Sequence, residues 1–354
     1  MGIGFDHTTL GQRVLFGSGA AVENAVAAIE GLGATRVLLI GDAFARELAD
    51  AIAARTPVVE RIHEIVQHVP AENARAATAL ARSAGIDALV TIGGGSATGL
   101  AKIVARDTGL PIVAVPTTFA GSEATNVWGV TEDERKTTGS DDRVLPRVVV
   151  YDATLTAGMP ARLATSSALN AVAHAIDGFW APRADPINRA LGTEGLRALV
   201  PGLRAVHADP GSLAAREQTL YGAYLAAVAF ASAGSGMHHK ICHALGGTYG
   251  LPHAETHSVV IGYVLAFNAP YAPDAAERVA SALGDGRSPA AGLQALRHEI
   301  GSPASLRSLG LREEDVGAAA DVILPAIPPS NPRPVSRADL EGLLRAAWAG
   351  DPVE

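Results

Sequence analysis

Ala88-Leu89-Val90-Thr91-Ile92-Gly93-Gly94-Gly95-Ser96 is the stretch that decides how this chain folds. An apolar run broken by one threonine leads straight into three glycines and a serine, and a helical stretch follows over residues 97–106. A strand without polar alternation is buried on both faces, the habit of parallel sheets, whose strands are joined by crossover helices. The pattern recurs on either side. Arg36-Val37-Leu38-Leu39-Ile40, Pro111-Ile112-Val113-Ala114-Val115 and Arg147-Val148-Val149-Val150-Tyr151 are further near-continuous apolar runs, and alanine-rich segments at 20–30 and 74–83 have the length and propensity of crossovers. The first half therefore reads as an α/β domain on a parallel sheet.

After about Asp152 the β-rich runs stop. Long alanine- and leucine-rich segments begin near Pro160, Pro186, Gly211, Pro252, Pro273, Ser288 and Leu311, several with proline where a first helical turn tolerates it. The expected organisation is an α/β domain over residues 1–156 and an all-helical domain over residues 157–354. Five closely spaced prolines from Pro325 to Pro334 demand an irregular loop.

Composition narrows the classes. The 354 residues are 48% hydrophobic and 18% charged, with 28 Lys+Arg against 36 Asp+Glu and a net charge of −8, which is globular rather than disordered. No basic block is longer than the pair Arg135-Lys136, so there is no footprint for nucleic acid. No run of eighteen apolar residues exists, which excludes a spanning helix. The lone Cys242 has no disulfide partner, and Met1-Gly2-Ile3-Gly4-Phe5-Asp6 lacks the features of a signal peptide, so a reduced, cytoplasmic protein is expected.

Gly93, Gly94, Gly95 and Ser96 form a strand-to-helix turn where backbone can approach a phosphate, with Ser96 expected to cap the helix. The spacing Gly93, Gly95, Gly99 misses the third glycine of G-x-G-x-x-G, so the turn reads equally as a plain tight connection. Asp42, just past a strand, has two readings: a ribose diol acceptor or a helix cap. Thr117 and Thr118, after Pro116, stand at another strand's carboxyl end, where open parallel sheets bind ligands or simply turn.

The helical half carries the strongest local signal. Asn170 and His174 are four apart, as are His239 and His243; His253 follows Pro252, and five of eleven histidines fall between 238 and 257. Residues four apart share a helix face, so these faces could converge on a divalent ion.

Taken in order, Gly93-Gly94-Gly95-Ser96, Pro116-Thr117-Thr118, Gly121-Ser122-Glu123, Asn170/His174 and His239-Lys240-Ile241-Cys242-His243-Ala244-Leu245-Gly246-Gly247 ending in Pro252-His253 resemble the motifs of iron-containing alcohol dehydrogenases. The resemblance covers nearly the whole chain. It implies an N-terminal α/β dinucleotide-binding domain, an all-α C-terminal domain as also found in dehydroquinate synthase-like proteins, and an Asp and three His holding a metal in a cleft. Three departures resemble one branch, the maleylacetate reductases: Asn170 at the carboxylate position, Gly99 where an aspartate is usual, and a threonine loop one residue shorter. Asn331-Pro332-Arg333-Pro334 is similar to that branch as well. The branch reduces the C=C bond of maleylacetate to 3-oxoadipate with NADH or NADPH in aromatic-compound degradation, as a homodimer by family expectation, and is regarded as metal-free.

On that resemblance Asp42, Gly93, Gly94, Gly95, Ser96, Thr117 and Thr118 would bind the nucleotide. Asn170, His174, His239 and His253 would be a vestigial metal site, with His174, His239, His243 and His253 catalytic and His243 nearest the nicotinamide. An amide brings no charge to balance a cation, whereas an enolate formed by reducing a conjugated alkene is weakly basic enough for hydrogen bonds from imidazoles to stabilise. The substrate's two carboxylates call for donors, with Asn170, His238, Lys240 and Arg333 as candidates. Cys242 reads as a small buried residue rather than a nucleophile. Competing readings are a metal-dependent alcohol or aldehyde reductase, a lyase of the dehydroquinate synthase type, and a non-catalytic binding protein.

Overall fold

In a computed structural model of the chain, residues 4–132 and 135–353 are described. They form two compact units, one of residues 10–159 and one of residues 160–354 joined by the segment before Leu10. The α/β unit runs β1 (Arg13–Phe16), α1 (Ala21–Gly31), β2 (Val37–Gly41), α2 (Arg46–Ala53), β3 (Val58–Ile62), α3 (Ala71–Ser83), β4 (Ala88–Gly93), α4 (Gly95–Thr108), β5 (Ile112–Pro116), β6 (Val127–Glu132), β7 (Arg135–Ser140) and β8 (Val148–Tyr151). Six strands form one parallel sheet in the order β1-β8-β5-β4-β2-β3, while β6 and β7 pair antiparallel apart from it.

Alternate residues of the apolar runs serve opposite faces of the sheet. Val37 and Leu39 pack with Ala25, Ile29 and Ile52 of α1 and α2, whereas Leu38 and Ile40 pack with Ala77, Leu100 and Val104 of α3 and α4. Both faces are therefore covered, which explains runs with no polar alternation.

Lys102, on the inward side of α4, is fully buried. Its ammonium donates to the carbonyls of Ser122 (2.6 Å), Thr125 (2.8 Å) and Val127 (2.8 Å), and to Thr125 Oγ1 at 3.0 Å. It thereby ties α4 to the chain that follows Thr117 and Thr118. Burial draws its pKa down to about 7 against the pull of Glu123. Glu123 is itself buried, which raises its pKa, and its Oε1 accepts from the Tyr151 hydroxyl at 2.6 Å.

The second unit is helical: α5 (Ala161–Gly178), α6 (Pro186–Ala208), α7 (Leu213–Ala233), α8 (Met237–Tyr249), α9 (His253–Asn268), α10 (Pro273–Leu283), α11 (Pro289–Glu299), α12 (Asp315–Ile323) and α13 (Arg337–Ala349). Buried α5 packs against α6, α7 and α9, and α8 packs against α9. No single helix among the described residues is long and apolar enough to cross a membrane; α7 and α8 reach that hydropathy only as a pair bent by 96°.

Residues 4–9 correct the expected division at 156, because they belong with the helices. His7 Nδ1 lies 2.7 Å from Asp185 Oδ2, and Ser232 Oγ donates to the Thr8 carbonyl at 3.1 Å.

Candidate active site

Three helices bring the histidines together. Asn170, His174 and Asp177 follow one another at helical spacing along α5, and all three are buried. His238, His239, Lys240, Cys242 and His243 lie on α8, and α9 opens with His253 and carries His257 one turn later. The His174 and His239 rings stack at 5.0 Å and 10°, covered by Phe230 of α7. His243 lies 6.0 Å from His239 and 6.1 Å from His253.

Exposure divides the cluster. His238 and His257 are fully buried and His239 nearly so, whereas Lys240, His243 and His253 are only partly buried. Desolvation draws His174 down to about 4 and holds His238, His239 and His257 well below the usual imidazole range, helped by the neighbouring imidazoles. These four are neutral at neutral pH.

A stability consequence follows from linkage. Below 6.5 the unfolded chain takes up protons that the folded chain refuses, so stability falls as pH drops from 6.5 towards 4. His174 alone accounts for about 3 kcal/mol of that loss. Denaturant melts between pH 7.5 and 4.5 should show the midpoint dropping steadily, and a flat profile would contradict neutral buried imidazoles.

Among the described residues, the group of three metal-capable side chains with mutually close donor atoms is His238, Cys242 and His257, within 4.8 Å of one another. It is not the set that the resemblance implies. His238 Nε2 and His257 Nδ1 are 2.9 Å apart. Two nitrogens on one tetrahedral ion at ~2.0–2.1 Å would stand roughly 3.3 Å apart. The shorter distance is that of a shared proton. Cys242 Sγ lies 3.7 Å from the same His238 nitrogen, and burial pushes its thiol well up, as suits an inert buried residue.

Three expectations need correction. His238 cannot meet a substrate carboxylate, because it is fully buried and its Nε2 is bonded to His257. Arg333 lies away from the cluster: its guanidinium stacks 4.1 Å over Phe267 and pairs with Asp339 at 2.9 Å. Phe267 is far along α9 from His253, about 20 Å at ~1.5 Å per residue. Ser96 does not cap α4, since the N-cap is Gly94 and no side chain caps that end.

The α/β unit forms a second constellation. Pairing of Gly41 with Ile92 and of Gly93 with Pro116 aligns the carboxyl ends of β2, β4 and β5. Asp42, Gly94 to Ser96, and Thr117 with Thr118 thus share one edge, where the chain has left β2 for β3 on one side and β4 on the other. Gly93 has φ +151°, and a Cβ on Gly94 would sit 2.9 Å from Thr118 Cγ2. With no side-chain cap on α4, its first N–H groups are open to an anion. Asp42 Oδ1 accepts from the Phe44 and Ala45 backbones, and the Phe44 ring beside it is fully exposed.

Asp177, His257 and Phe44 escape the sequence reading. The first two carry a usable signal, because Asp177 extends the Asn170/His174 stripe by one turn and His257 stands four after His253.

Comparison with known proteins decides the family. Residues 11–153 match the model for iron-containing alcohol dehydrogenase, and residues 164–348 match the C-terminal model of the Fe-containing alcohol dehydrogenase family. The chain belongs to the iron-containing alcohol dehydrogenase family. It is an oxidoreductase with that family's fold. Among its relatives is the maleylacetate reductase of Pseudomonas sp. (strain P51), 43% identical over 352 residues and covering 99% of both chains. Solved relatives include an iron-containing alcohol dehydrogenase from Corynebacterium glutamicum, at TM-score 0.95 and 49% identity over 99% of this chain and 98% of that one. The maleylacetate reductase of Rhizobium sp. strain MTP-10005 superposes at TM-score 0.92 and 39% identity over 98% of this chain and 99% of its own. This member of the iron-containing alcohol dehydrogenase family thus stands with the maleylacetate reductases.

Proposed function

We propose that the chain reduces the C=C bond of maleylacetate to give 3-oxoadipate, with NADH or NADPH and without a resident metal. The observation that carries the reading is the imidazole cluster of α5, α8 and α9 with Asn170 where the family's carboxylate would be, in a chain 43% identical to a maleylacetate reductase.

The α/β unit fits a nicotinamide dinucleotide. Glycine at 94 leaves a hollow that a side chain would fill, and the uncapped start of α4 suits a pyrophosphate. Asp42 suits a ribose. When bound, the nucleotide supplies a hydride to the alkene carbon two atoms from the ketone. Gly94→Val drives a side chain into Thr118 and the phosphate hollow, so the NADH dissociation constant should rise at least about tenfold, or 1.4 kcal/mol. Calorimetry on the folded variant checks this, and unchanged affinity would make the turn merely structural.

A divalent metal fits the family positions poorly. Asn170 offers a neutral oxygen, and His174, His239 and His253 do not belong to the group of three side chains, found among the described residues, whose ligand atoms all lie within 4.8 Å of one another. Asn170→Asp adds a charge worth about 4 kcal/mol to an ion ~4 Å away at an effective dielectric of 20, so Zn²⁺ or Fe²⁺ should bind more than tenfold tighter. Equal affinity in both forms, by titration, would remove Asn170 from any ligand set.

The chain's own residues then manage charge and proton. Hydride addition leaves an enolate oxygen, which His243 or the Lys240 ammonium meets by donating. His243 and His253, being partly exposed, can recover a proton from solvent. The deciding experiment follows NADH oxidation with maleylacetate, with and without a chelator. Stoichiometric 3-oxoadipate, unaffected by chelation, is expected. Activity on simple aldehydes alone, lost on chelation, would favour a metal-dependent alcohol or aldehyde reductase instead.

A further inference from the structure

Asp177 is the point on which the cluster is hung. It lies near the end of α5 and is fully buried. Its Oδ2 accepts from the Gly236 backbone at 2.9 Å, from the His239 backbone at 3.4 Å and from His239 Nδ1 at 2.8 Å. Its Oδ1 accepts from Trp180 Nε1 at 3.1 Å and from the His238 backbone at 3.3 Å. Three of these donors are the first N–H groups of α8, where the helix dipole favours negative charge. The approach is so close that any Cβ on Gly236 would collide with the carboxylate.

Both oxygens of Asp177 already accept N–H groups from the start of α8, so the hydrogen between Asp177 and His239 belongs to the imidazole's Nδ1. A neutral ring with Nδ1–H has a bare Nε2. That nitrogen is buried and has no hydrogen-bond partner among the described residues.

We infer that Asp177 is a positioning residue that fixes the tautomer of His239, so that its Nε2 is held within the cluster as an acceptor and not as a donor. The inference rests on reading this cluster as the site of reduction, and it sharpens that reading. Charge on the enolate oxygen must be met by His243, Lys240 or a water hydrogen, while His239 Nε2, which finds no donor on maleylacetate, receives a hydrogen from that water. Acceptor and donor are then different imidazoles, one helical turn apart on α8.

The direct test is ¹⁵N NMR of the histidine-labelled enzyme without substrate or nucleotide, with His239 assigned by its loss in His239→Gln. Protonated Nδ1 and bare Nε2 are expected; a protonated Nε2 would overturn the inference. The second arm compares Asp177→Asn with Asp177→Glu. The amide should loosen the tautomer and lower kcat for maleylacetate roughly 10- to 100-fold with the KM for NADH unchanged, while the longer carboxylate restores most of the rate. Equal losses in both variants with an unaltered tautomer would reduce Asp177 to a brace for α8 and sink the proposal. Should the enzyme not reduce maleylacetate, the NMR result still decides the tautomer on its own.

Discussion

Replacing His243 with alanine should lower kcat for maleylacetate about 10²- to 10⁴-fold, the usual loss on removing a general acid. The argument is one of access and protonation. Of the imidazoles on α5, α8 and α9, His174, His238, His239 and His257 are buried, and desolvation keeps all four neutral. A group that gives a proton in every turnover must regain it from solvent, which His243 and His253 can do. His243 stands between His239 and His253, about 6 Å from each. The variant should keep its circular dichroism spectrum and its affinity for NADH, because the residues proposed to bind the nucleotide are in the other unit. A near-native kcat would hand the proton to His253, Lys240 or water.

Lys102→Met should lower the stability of the α/β unit by about 3–5 kcal/mol, the ordinary result of deleting one partner of a buried polar network. Methionine fills the same volume, so the loss is that of hydrogen bonds, not of packing. Three backbone carbonyls and Thr125 Oγ1 would lose their donor inside protein, and Glu123 would lose the positive charge nearest to it. Urea denaturation followed by circular dichroism measures the effect. The loop carrying Thr117 and Thr118 should loosen with it, weakening NADH binding in the folded protein. A midpoint equal to that of the parent would show that the ammonium only offsets its own desolvation.

The elements that the sequence reveals are those with one dominant physical cause. β2, β4, β5 and β8 are buried on both faces, so their composition alone marks them. β1 and β3 are the two edges of the sheet, half-exposed and chemically mixed, and their pattern is indistinct. β7 is polar, and β6 mixes Val127, Trp128 and Val130 with Gly129, Thr131 and Glu132, so neither strand is a continuous apolar run. The histidine cluster is legible because helical spacing is local. Asp177 shares that spacing, but its role is not legible, because its partners arrive about sixty residues later and only folding brings α8 onto the end of α5. Arg333 misleads for the converse reason: a charge beside a family-like motif says nothing about the aromatic ring on which it rests.

The contact between His7 and Asp185 spans 178 positions of the chain. With it, the polypeptide passes from one compact unit to the other twice, at residues 9–10 and again at 159–160. A single proteolytic nick at 159–160 cuts the chain in two, yet His7 on the first piece still contacts Asp185 on the second without any covalent link. A fragment begun at residue 157 would leave Asp185, whose Oδ1 caps α6 through the Asn188 backbone at 2.8 Å, without its imidazole. Synthesis imposes an order as well. The segment holding His7 leaves the ribosome first, yet the helix start that receives it does not exist until the whole sheet has been made, so the earliest residues of this chain are among the last to find their place.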